Sequence, residues 1–85
     1  MAASIRELYG PSGERVGCAC FGERFEMLEI GSVQLIRLKN DDAWTGTDFS
    51  MGRVRSLTPE EVEETMTRIA DCKFGAEELI MDLKD

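Results

Sequence analysis

The chain of 85 residues is 42% hydrophobic and 32% charged, carries a formal net charge of −7 and contains no histidine. This is the composition of a globular chain, not a disordered one. The missing histidine removes the commonest general base and transition-metal ligand, and with it histidine-activated nucleophiles and mixed Cys/His zinc sites within one chain.

The N-terminal half reads as short strands separated by turn residues. Ser4–Tyr9 leads into Gly10-Pro11-Ser12-Gly13, which has tight-turn chemistry. Ile5, Leu8 and Tyr9 also fit helical spacing, and Ser4-x-x-Glu7 imitates a capping box. The strand is favoured because the turn sits between two extended-looking arms. Glu14–Phe21 follows, alternating Val16, Cys18 and Cys20 on one face with Arg15, Gly17 and Ala19 on the other. Breaks at Gly22-Glu23 and Gly31-Ser32 then bound Arg24–Ile30 and Val33–Leu38.

Lys39–Ser56 lacks periodicity and reads as a long surface loop, with a short strand around Phe49–Val54 as the one candidate element. It holds the only tryptophan, Trp44, which is either a binding anchor or a cap on the open end of the core, the cap being favoured. Thr58-Pro59-Glu60-Glu61 supplies an N-cap, a proline in the first turn and a capping-box glutamate. Leu57 and Val62 are placed for a hydrophobic staple, and Val62, Met66, Ile69 and Ala70 form the inward stripe of a helix ended by Gly75. Phe74 is placed to fold back on the core, and Ala76, Leu79, Ile80 and Leu83 make the apolar face of a second helix. The expectation is one α+β domain over residues 1–85. An antiparallel β-meander of about four short strands across residues 4–38 is followed by a long loop and two C-terminal α-helices packed on one face of the sheet.

Charge is unevenly spread. From Leu57 to Asp85 there are nine acidic residues against three basic ones, a balance of −6, while the first 56 residues contribute −1. First-turn glutamates complement a helix dipole and explain Glu60, Glu61, Glu77 and Glu78 without a partner. Arg68 is placed to pair with Glu64 at i,i+4. The remaining acids argue against binding nucleic acid through this segment, because the second helix offers only Lys84 to phosphates. The arginines of the first half read as solvated strand positions paired with Glu7, Glu14, Glu23 or Glu26.

No motif for catalysis or a cofactor stands out. Asp41, Asp42 and Asp48 fail the calcium-loop pattern, and Gly10-x-x-Gly13 is too short for a phosphate loop. Cys18, Cys20 and Cys72 supply three thiolates, an incomplete zinc set, and read as reduced packing residues. No apolar run approaches the ~20 residues that span a bilayer, and Met1–Glu7 lacks the pattern of a secretory signal. The expectation is a cytoplasmic, non-enzymatic protein without cofactor or metal that occupies a surface on a larger partner, one with a basic nucleic-acid-binding surface. Phage-encoded anti-CRISPR and anti-restriction inhibitors are similar in size and charge only. The expected partner-binding residues are Glu60, Glu63, Glu64, Asp71, Glu78, Asp82, Trp44, Asp41 and Asp42. Neither nucleic acid nor membrane is an expected partner, and the chain is expected to be a monomer or a homodimer. The alternative is a structural or assembly subunit that associates through a sheet edge.

Overall fold

Four N-terminal strands form a meander in the computed structural model, which describes residues 2–81. They are β1 (Ala2–Tyr9), β2 (Arg15–Phe21), β3 (Phe25–Ile30) and β4 (Val33–Leu38). Ser4–Tyr9 is therefore strand, and its capping-box spacing is coincidental. The β1–β2 turn closes with Gly13 N–H donating to Gly10 O at 3.0 Å, and Gly13 takes φ +89°. Gly31, at φ +59°, begins the tight β3–β4 turn.

Three expectations about the rest of the chain are overturned. The long loop over Lys39–Ser56 instead carries β5 (Thr45–Asp48), a single 3₁₀ turn at Ser50–Gly52 and β6 (Arg55–Ser56). The expected strand at Phe49–Val54 is thus the connection, and the strands flank it. β5 has four residues and little apolar character, so periodicity could not reveal it. Pairing with β4, from Val33↔Asp48 to Ile36↔Thr45, holds it in place.

Helix α1 (Pro59–Ala70) forms as expected but ends at an Asp71 cap, four residues before Gly75. Its buried residues are Thr65 and Ile69, with Val62 and Met66 packed beside them, while Ala70 is exposed. Among the described residues no second helix follows. β7 (Lys73–Phe74) and β8 (Glu78–Met81) run antiparallel along the outer side of β1, joined where Gly75 N–H donates to Glu7 O at 2.8 Å. A four-residue apolar-and-acidic stretch fits a helical or an extended period equally well. The free backbone edge of β1 decides for the strand. Leu83 lies outside the described residues.

The result is one antiparallel sheet in the order β6-β5-β4-β3-β2-β1-β7, with β8 also on β1, rather than a four-stranded meander with two helices. α1 crosses back over one face from the β6 edge to the β1 edge. Under it lie Leu8, Ala19, Leu28, Ile30 and Leu35, which form the core with Ile69.

The inward face of β2 is not the one its cysteines suggest. A register shift opposite Leu8/Tyr9 inserts Val16, after which Gly17 and Ala19 face the helix while Cys18 and Cys20 share the opposite face. Gly17 is required there. A Cβ would strike the Glu29 carbonyl and come within 3.0 Å of Ile30 Cα. Phe74 does not fold back on the core; it is 42% exposed and lies under Arg6, whose Cζ is 5.8 Å from the ring centroid.

Candidate functional site

The start of α1 is fixed by a closed set of polar contacts. Thr58 is extended (φ −73°, ψ 162°), and its hydroxyl accepts from Glu61 N–H at 3.2 Å. The Glu61 carboxylate accepts from Thr58 N–H at 2.9 Å, completing the capping box. Arg55 then donates to both Glu61 oxygens at 3.1 and 3.2 Å and approaches Asp48 at 3.6 Å. Asp48 in turn accepts from Ser50 N–H at 2.9 Å and the Ser32 hydroxyl at 3.2 Å. These contacts hold both carboxyls below their ordinary range. The Arg55 guanidinium is the main cause at Glu61, and the Ser50 amide is the main cause at Asp48. Arg55 is raised by the same pairing with Glu61.

This sorts the acidic residues of α1. Glu61 belongs to the fold. Glu60, Glu63, Glu64 and Asp71 are all exposed, and among the described residues none of them pairs with a cation. The expected Glu64–Arg68 pair is not formed. At 100° per residue these four residues, with Thr67 between them, share one stripe opposite Val62, Thr65, Met66 and Ile69. At a rise of ~1.5 Å per residue the stripe runs about 16 Å.

Helix stability does not account for this stripe. Glu60 sits in the first turn and gains from the dipole, but Asp71 caps the opposite, negative end. Glu60 and Glu64 are like charges at i,i+4, and Glu60 and Glu63 at i,i+3, each costing a few tenths of a kcal/mol.

The other expected residues are placed elsewhere. Asp41 and Asp42 are exposed on the β4–β5 connection. Trp44 is half-buried against the core with Arg37 Cζ 5.5 Å from its ring centroid, so it covers the core and is not turned outward with the stripe. Arg37 is itself held by Glu26, whose carboxyl it keeps below the ordinary range. Glu78 lies on β8, not on a helix, opposite Ile5. Asp82 lies outside the described residues. Among the described residues the stripe on α1 is therefore joined by none of the other expected residues. Sequence periodicity could place its members on one face and the capping-box spacing set Glu61 apart, to which the structure adds the Arg55 contacts.

Among the described residues no three of Cys, Asp and Glu converge as metal ligands, and no helix is long and apolar enough to cross a membrane. The cysteines are free. Burial, followed by the charge of Glu29, pushes the Cys18 thiol up and lowers its reactivity. A shallow cleft between the β1–β2 turn and the end of α1 is lined by Arg15 and Arg68 but also by Glu14 and Asp71, so its charges balance. Comparison with protein-family models, with curated proteins and with solved structures finds no match to this chain.

Proposed function

We propose that the protein is a non-enzymatic binding protein that acts in the cytoplasm by laying the outer face of α1 on a basic surface of a larger protein. The observation that carries this reading is the stripe Glu60, Glu63, Glu64 and Asp71. It is exposed and unpaired among the described residues, and its like-charge pairs Glu60–Glu64 and Glu60–Glu63 each cost the helix a few tenths of a kcal/mol. An exposed line of unpaired carboxylates is what docking on a basic surface requires. Successive carboxylates about 6 Å apart along the helix approach the spacing of phosphates on a nucleic-acid strand. A partner surface built to hold nucleic acid is therefore the proposed target, and blocking that surface is the proposed action.

The proposal is tested by capture from lysate at ~50 mM and ~300 mM salt, using the wild-type chain and an E60Q/E63Q/E64Q variant side by side. Partners retained by the wild type at low salt, released at high salt and lost from the variant support it. Identical capture by both chains contradicts it.

A further inference from the structure

Strand register places four donor side chains in one square on the sheet face turned away from α1. Cys18 pairs with Glu29, and Cys20 pairs with Met27, across β2 and β3. Residues two apart on a strand share a face ~6.7 Å apart, and cross-strand partners have Cβ atoms ~5.5 Å apart. Packing does not account for the three sulfurs. Cys18, Cys20 and Met27 neither belong to the core cluster nor pack against it, whereas Cys72 does. Two of them already make polar contacts. The Cys18 thiol donates to Glu29 at 3.6 Å, and Met27 Sδ accepts from the Gln34 amide at 3.3 Å. Glu7, on the other side of Cys18, is taken up by Arg15, while Glu29 meets no cation among the described residues.

We infer that Cys18, Cys20 and Met27 form a binding site for a soft monovalent metal ion, Cu(I), with the Glu29 carboxylate beside it. The donor set selects the ion. Thiolate and thioether sulfurs favour Cu(I) over the harder divalent ions. A structural Zn²⁺ needs four ligands, and no three of Cys, Asp and Glu converge among the described residues. Calcium and magnesium need a shell of oxygens, of which Glu29 offers one carboxylate. Cu(I) is satisfied by two thiolates with a thioether as third donor. On binding, the two S–H protons leave to solvent and two Cu–S bonds form. The ion stays Cu(I) throughout, so no oxidant or reductant enters.

The fold supplies both access and rigidity. Cys20 and Met27 are half-buried and can be reached from solvent, while Cys18 is 7% exposed and forms the inner end of the site. β2 and β3 are held in register by five consecutive pairs, so the two cysteines are fixed relative to each other before an ion arrives. Met27 is the adjustable member. Its three rotatable bonds let the sulfur turn from Gln34 toward β2. The site and the acidic stripe lie on opposite sides of the sheet, so loading one leaves the other free.

Anaerobic titration of the reduced chain with Cu(I), in competition with the chelator bicinchoninate, tests the inference. The wild type is expected to withdraw one Cu(I) per chain. C20S should weaken binding by more than the ~10–100-fold that an outer-shell partner costs, and M27L by about tenfold. C72S and E60Q/E63Q/E64Q are expected to bind as the wild type does, which separates this site from the docking stripe. Alkylation of the wild type gives a readout that needs no variant. Cu(I) should protect Cys20 from iodoacetamide and leave the rate at Cys72 unchanged. Failure to take Cu(I) from the chelator overturns the inference. So does binding indifferent to C20S, equal protection of Cys72, or Zn²⁺ held as tightly as Cu(I).

Discussion

Two glycines and one aspartate show how individual residues divide between fold and function. Gly17 lets β2 pass the Glu29 carbonyl, and Gly46 lies between Leu35 and Leu57, whose side chains would be 2.7 and 2.6 Å from an added Cβ. Gly17 meets backbone and Gly46 meets the ends of flexible side chains. G17A should therefore cost about 3 kcal/mol, and G46A clearly less, when unfolding midpoints in urea are compared. Equal losses would show that the strand yields as easily as the leucines. Asp71 behaves oppositely. Its charge caps the negative end of α1, so D71N should leave stability unchanged or raise it by a few tenths of a kcal/mol in the same measurement. A clear loss of stability in D71N would make Asp71 a structural cap and remove it from the docking stripe.

The elements were unevenly legible. β1 to β4 could be read because breaks at Gly10–Gly13, Gly22 and Gly31 separate runs of six to eight residues. α1 could be read because Thr58, Pro59 and Glu61 mark its start and Val62, Met66 and Ile69 its inward face. β5, β6, β7 and β8 have two to four residues each, too few to show a period, and they exist because β4 and β1 present unpaired backbone. The inward face of β2 was hidden for a related reason: one inserted residue at Val16 decides which side of the strand faces the helix. The candidate site was legible as a cluster of acids, and the capping-box spacing from Thr58 already set Glu61 apart from Glu63 and Glu64. Not legible was Arg55, which pairs with Asp48 across the β5–β6 ladder as well as with Glu61.

This network has its own consequence for pH. Glu61, Asp48 and Glu26 are all held below their ordinary values in the folded chain. The unfolded chain therefore binds their protons more tightly. Their contribution is present above the unfolded values, 4.5 for the glutamates and 3.8 for Asp48, and is lost as pH falls through the lower folded-state values. Urea midpoints taken from pH 7 to pH 2.5 should fall only in that lower window. R55A should make the fall shallower, because Glu61 and Asp48 lose their shared cation. An acid limb unchanged in R55A would show that the network contributes nothing. T58A, which removes the cap hydroxyl, should cost about 1 kcal/mol at neutral pH.

At the scale of the whole molecule, the sheet separates two surfaces of opposite character. One side presents the carboxylates of α1, and the other presents the row Ile5, Cys20, Met27 and Ile36 bordered by Glu7, Glu29 and Glu78. The central claim is that charge on the outer face of α1 drives partner binding. The most direct measurement is the affinity of wild-type and E60Q/E63Q/E64Q chains for a captured partner between ~50 and ~300 mM salt. The account predicts that wild-type affinity falls about tenfold or more over this range, while the variant binds weakly and with a flatter salt dependence. Affinity indifferent to salt, or equal in the two chains, would contradict it.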